Sequence, residues 1–291
     1  MTAPRAGPRT LTFDTLGYRF VVVTESGTAV ASLRRLYGGE VGGAHPGTLP
    51  VFRLCAEATA RGWRLQAPGS PPEAHPSLSG ALRHLDYEVC YRVMARRTDL
   101  LWLHGALLHT VDGSVLISGP SEAGKSTLTL GLMALGYPVG GDDVAVVEPV
   151  SGLLRAFPRF LHADRHSRRL LRRAGYWPQS AGRRAGALLP SQPGAIVGPP
   201  RVILLKEPPT AAPPLLIPVL QAEAVVCLLQ RVQTAGLSHA TVIAALQRLV
   251  AGAVCYRVSG GGGSGHLPAL IAAVAAVLGP PRRAQDVGTA A

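Results

Sequence analysis

Apolar positions follow two periods along this chain. Between Thr10 and Thr24, Leu11, Phe13, Tyr18, Phe20 and the run Val21-Val22-Val23 are interrupted at Gly17, a pattern that predicts two strands. Ala29–Tyr37 predicts a short helix, and 38–50 a Gly-rich loop. Val51–Leu54 and Trp63–Leu65 predict two further strands. Pro68, Pro71, Pro72 and Pro76 crowd the stretch 66–76, which predicts a loop or linker. Residues 1–75 thus form an expected small β-rich N-terminal module. From Leu78 to Arg97 the period becomes helical, with Leu82, Leu85, Val89, Val93 and Met94 on one face.

The second half alternates strands with helices. Leu100–His109 is an apolar strand carrying His104 and His109, and Asp112-Gly113 is a hairpin signal. Val115-Leu116-Ile117 then reads as a buried strand, and 127–133 as a helix closed by Gly136. The turn should lay strand 100–109 antiparallel to strand 115–117 and bring His104 within reach of the loop after it. Asp142-Asp143 follow at a Gly-flanked strand edge within 138–147. Arg155–Phe160 is expected to be extended and His162–Arg173 a basic helix with a solvated face. Ser180–Pro200 is Gly/Pro-rich and expected to be mobile. Strands are expected at 201–205, 215–217 and 254–258, helices at 222–233, 239–251 and 267–278, and a flexible loop at 260–265. Residues 76–280 form the expected second domain and 281–291 a disordered tail. The fold class is α/β.

Composition narrows the partners. The chain has 291 residues, of which 47% are apolar and 16% charged, so it can bury a sizeable core. A net charge of +12 favours anionic ligands. Nucleotide is the expected one; nucleic acid is not an expected partner. The four cysteines have no paired metal spacing and suit a cytoplasmic location. No apolar stretch is long enough for a membrane span, so no membrane partner is expected.

One stretch carries chemistry. Gly119-Pro120-Ser121-Glu122-Ala123-Gly124-Lys125-Ser126-Thr127 matches the phosphate-binding (Walker A) pattern, and it stands between a strand and a helix as that pattern requires. Loop N–H groups converge on phosphate, Lys125 reaches the β and γ phosphates, and the Ser126 hydroxyl ligates Mg2+. Of 29 basic side chains only Lys125 and Lys206 are lysine. A compact ammonium fits where a planar guanidinium does not. Asp142 and Asp143, one helix further on, are the natural metal and general-base partners of such a loop.

Taken in order, His104-Gly105, Asp112-Gly113, the phosphate loop, Gly136 and Asp142-Asp143 make residues 100–147 similar to the catalytic core of the HPr kinase/phosphorylase family. The resemblance implies a P-loop kinase domain of that type, with ATP and Mg2+ as cofactors. His104 would be an electrostatic or proton-handling group and Asp143 the base for a substrate hydroxyl. Lys125 would be catalytic as well, and Asp142 would support Mg2+ or orient the site. Two family features are missing. No glutamate-arginine-glycine stretch follows Asp143, where 157–165 stands instead, and no proline-glycine-arginine loop occurs near 217–219, where Leu220-Gln221 follow. The chain resembles instead the divergent kinases of this superfamily, some of which phosphorylate a serine of a ribosomally made peptide such as a lasso peptide. The expected activity is transfer of the γ-phosphoryl group of ATP to a Ser/Thr hydroxyl of a peptide or protein. A small-metabolite kinase and a non-catalytic nucleotide-dependent switch are the alternatives, and a homo-oligomer remains open.

Overall fold

The computed structural model describes residues 7–42, 48–57, 62–157, 159–161, 163–177, 189–190, 197–234, 236–263 and 265–281. Most of the stretch expected to be mobile at 180–200, and all but the first residue of the expected tail 281–291, lie outside them. The fold is mixed α/β, in two compact units, Met1–Arg97 and Thr98–Ala291.

In the first unit β1 (Arg9–Thr15) and β2 (Tyr18–Thr24) form a hairpin through Leu16 and Gly17, both with positive φ. Two left-handed turn residues match the right-handed twist of the flanking strands. Helix α1 (Gly27–Tyr37) starts where the Ser26 hydroxyl accepts from the Ala29 amide, an N-cap. Strands β3 (Val51–Ala56), β4 (Trp63–Gln66) and β5 (Glu73–His75) complete a sheet ordered β1-β2-β3-β4-β5, in which only β2–β3 is parallel. Strand β5 lies inside the stretch expected to be only linker. It is an edge strand, where Pro72 and Pro76 on either side cost no ladder bond.

Helix α2 (Leu78–Arg96) belongs to this first unit, not to the second domain as its position after the proline-rich stretch suggests. Its face Leu82, Leu85, Val89 and Val93 is buried, and the helix contacts β2, β3, β4 and β5. The sheet needs that cover on one face, so the boundary falls after the helix.

The second unit contains β6 (Leu101–Thr110), β7 (Gly113–Ser118), α3 (Lys125–Ala134), β8 (Val139–Gly141), β9 (Val144–Val147), β10 (Leu154–Arg155), β11 (Phe160–Leu161) and α4 (Arg165–Arg173). It continues with β12 (Leu189–Pro190), β13 (Val197–Gly198), β14 (Pro200–Lys206), β15 (Leu215–Pro218), α5 (Gln221–Leu229), α6 (His239–Val250), β16 (Val254–Ser259) and α7 (Leu267–Leu278). The main sheet runs β13-β10-β9-β6-β7-β14-β16-β15, with β8 also on β6. Strands β7, β14 and β16 are parallel neighbours, and the other pairings are antiparallel.

Helices cover both faces of this sheet, and strand alternation assigns the side chains. Val115 and Ile117 of β7 join Leu128, Leu171, Ile271 and Val274 in one core; Leu116 joins Ala224, Leu228, Leu246 and Leu249 in the other. The strand reads as an unbroken apolar run because both its faces are dry. No helix among the described residues is long and apolar enough to cross a membrane.

Candidate functional site

Three parallel strands end together. Strand β7 ends at Ser118, β14 at Lys206 and β16 at Ser259. The segments that follow, 119–124, 207–209 and 260–263, therefore gather at one edge, the place where open α/β sheets hold ligands. A cavity of about 580 Å³ lies there. Its walls include the phosphate loop from Ser121, His104 and Asp143 on one side, and Lys206 with Gly261–Gly263 on another.

Gly124 caps α3 in the left-handed region, φ 85° and ψ 20°, and no side chain caps the helix. The first-turn N–H groups are thus left to an anion. The ammonium of Lys125 is buried and donates to the carbonyls of Gly119 at 3.0 Å and Pro120 at 2.8 Å. Burial lowers its pKa, and the carboxylates of Asp143 and Asp142 oppose that shift. Ser121 and Glu122 are exposed at the loop tip, Glu122 with φ 62°, and the Ala123 amide closes the turn onto the Pro120 carbonyl. Thr127 Oγ1 and Ser167 Oγ, 2.7 Å apart, tie α3 to the start of α4.

His104 reaches the loop, as the hairpin predicts. In the β6–β7 register Gly105 faces Ser118, whose hydroxyl donates to the His104 carbonyl at 2.9 Å. The Asp pair interrupts the strand opposite. Both β8 and β9 pair with β6, and Asp142-Asp143 bulge between them, Asp143 at φ 65°. That left-handed backbone, which aspartate tolerates better than most residues, aims the Asp143 carbonyl at β6. The carbonyl accepts from the Gly105 amide at 3.2 Å and from His104 Nδ1 at 3.0 Å.

A carbonyl only accepts, so Nδ1 carries the proton. Burial and then Lys125 push the His104 pKa below 6.5, which leaves the ring neutral at pH 7. Its Nε2 is buried with no hydrogen-bond partner. It is therefore the unused acceptor of a ring that borders the cavity.

The two aspartates differ in their surroundings. Asp143 is exposed and lines the cavity, whereas Asp142 is 2% exposed and does not. Burial, followed by the Asp143 carboxylate, pushes the Asp142 carboxyl well above the usual range; the Ser126 hydroxyl and Arg159 oppose this. The Ser126 hydroxyl and the Asp143 amide approach the Asp142 oxygens, but neither makes a hydrogen bond of good geometry. A buried, weakly satisfied carboxylate beside the Ser126 hydroxyl has the donor chemistry for a hard divalent cation.

Some site residues have no motif of their own. Lys206 is buried, donates to the Glu207 carbonyl at 2.8 Å and lines the cavity. Its being one of two lysines was the only signal in the sequence. Arg231 adds positive potential at both His104 and Lys125. With Gln230, Val232 and Gln233 it walls a second hollow of about 240 Å³, which meets the first at His104 and Ser121. Asp164 and Ser167 enter the cavity wall from the N-terminus of α4. The glycine run expected to be flexible is held instead, with the Gly261 amide on the Ala212 carbonyl at 2.9 Å and the Gly262 amide on Thr210 at 2.7 Å. Neither a comparison with models of known protein families nor one with curated proteins finds a match for this chain.

Proposed function

We propose that this chain is a P-loop kinase of the HPr-kinase type that transfers the γ-phosphoryl group of ATP to a Ser/Thr hydroxyl of a peptide or protein. The observation that carries this is the convergence of Lys125, the uncapped helix N-terminus, His104 and Asp143 on one cavity. A nucleotide switch has no use for an acceptor base beside the phosphate loop. Phosphoryl transfer needs positioning, charge neutralisation and a proton acceptor.

The loop amides and Lys125 hold the phosphate chain with its γ end toward His104 and Asp143. The acceptor oxygen bonds to the γ phosphorus as the bond to the β,γ-bridging oxygen breaks. Its proton passes to the Asp143 carboxylate, and ADP is the leaving group. His104 Nε2 accepts a hydrogen bond from the acceptor hydroxyl and orients it. Ser126 and Asp142 are the residues that would hold Mg2+, which when bound offsets phosphate charge. The second hollow, beside His104 and Arg231, suits the acceptor.

The test is a phosphoproteomic screen with purified protein and ATP–Mg2+, run beside Lys125→Ala. Loss of transfer and weakened ATP binding in the variant are expected. Unchanged affinity together with unchanged turnover would overturn the phosphate-loop reading.

A further inference from the structure

The first unit contains a cluster that plays no part in the phosphate site. Glu73 and His75 are two apart on β5, so their side chains leave the same side of the strand. Pro76 and Ser77 turn the chain at once into α2, where the Ser77 hydroxyl accepts from the Gly80 amide at 3.1 Å. The close turn brings His84, in the second turn of α2, against β5. His75 Nε2 and His84 Nδ1 lie 3.2 Å apart, and His84 Nδ1 lies 3.5 Å from Glu73 Oε2. The three donor atoms all fall within 4.8 Å of one another.

We propose that Glu73, His75 and His84 form a Zn2+ site that clips β5 to α2, with its fourth position open to solvent. In a tetrahedral zinc site with ligands about 2.0–2.1 Å from the metal, neighbouring donor atoms are about 3.3 Å apart. The separations of 3.2 and 3.5 Å bracket that edge, and the third, between Glu73 and His75, is within 4.8 Å. Two imidazoles and a carboxylate suit zinc better than magnesium or calcium, which take oxygen donors.

Glu88 supplies an independent argument. It lies one turn beyond His84 on the same helix face, and its Oε1 is 3.9 Å from His84 Nε2. At 3.9 Å this is an electrostatic contact and not a hydrogen bond, but a carboxylate behind the far ring nitrogen favours the proton on Nε2 and so favours Nδ1 as the ligand atom. Arg92, 3.1 Å from the other Glu88 oxygen, holds that carboxylate in turn. The Glu73 side chain is 58% exposed, so it can close on a cation without moving the core.

The experiment uses the full chain, stripped with a chelator and titrated with Zn2+ by calorimetry, with bound metal counted after dialysis. One equivalent should bind and raise the melting temperature. His84→Ala should weaken binding at least about 100-fold, and Glu88→Gln, which leaves all three ligands in place, about 10–100-fold. Co2+ in place of zinc should give the intense visible absorption of a tetrahedral site, shifted in Glu73→Gln. That exposed substitution leaves the fold intact, so the readout survives if a histidine variant fails to fold. Absence of a saturable equivalent in the wild-type chain, or equal binding by the His75→Ala/His84→Ala double variant, would overturn the site and show that the rings only hydrogen-bond to each other.

Discussion

The ring of His104 donates from Nδ1 to the main-chain carbonyl of Asp143 at 3.0 Å, so the residue that presents the exposed carboxylate also sets the histidine's tautomer. Strand β6 and the β8–β9 bulge are locked together by this bond and by the Gly105 amide on the same carbonyl. The side chain of Asp143 can therefore be changed without removing the bond, and its chemical role can be separated from its structural one.

Asp143→Asn should keep ATP–Mg2+ affinity within a few-fold and lose acceptor phosphorylation by about 10²–10⁴-fold, the usual cost of removing a general base. Asp142→Asn should instead raise the Mg2+ concentration needed for half-maximal transfer. Nucleotide titration at saturating Mg2+ and transfer rate against Mg2+ measure the two effects. A wild-type rate in Asp143→Asn would remove the base assignment.

The pH dependence of His104 has a definite sign. Its folded-state pKa lies below 6.5 because the charged ring would be buried beside Lys125. The unfolded chain then binds more protons on acidification. What the neutral ring contributes is complete above pH 6.5 and is lost as pH falls through the folded value. Asp142 gives an acid limb to both proteins, so the transfer rate of the wild type should fall more steeply below pH 6.5 than that of His104→Gln, as a pH–rate profile of both at saturating Mg2+ would reveal.

Gly119 has no room for a side chain, because a Cβ there would collide with the main-chain carbonyl of Lys206 on the adjacent strand. Gly119→Ala must separate β7 from β14 or deform the loop, at an overpacking cost of about 1–3 kcal/mol. Loss of nucleotide binding with a lowered melting temperature is expected. Gly252→Ala, where a Cβ meets nothing within 4 Å, is the control and should change neither.

Lys206 is the second buried ammonium on the cavity, and desolvation lowers its pKa. A bound polyphosphate would offset that desolvation. Lys206→Met should weaken ATP binding about tenfold, in line with the loss of one charge-assisted hydrogen bond. Equal affinity of the two proteins in a calorimetric titration would show that Lys206 only braces Glu207.

Much of the local structure was legible in the residues themselves. The Leu11–Val23 alternation around Gly17, the helical face of α2 and the strand–loop–helix context of Lys125 all depend on neighbours in sequence, which periodicity and turn chemistry report. The antiparallel pairing of β6 with β7 followed from the turn signal at Asp112-Gly113, but the register did not: the turn residues are Val111 and Asp112, and Gly113 already pairs with Thr110. The rest needed tertiary structure. Which unit α2 joins depends on which sheet face lacks cover, and no local pattern encodes that. Lys206, Arg231 and the 260–263 loop reach the site because parallel strands far apart in the chain end at one edge. The contrast between Asp142 and Asp143, adjacent and chemically identical, arises only from burial: one side chain turns beneath Ser126 and the other into the cavity. Glu73, His75 and His84 likewise meet because β5 pairs with β4 at the sheet edge while α2 folds back across it, and their spacing in sequence matches no metal-binding pattern.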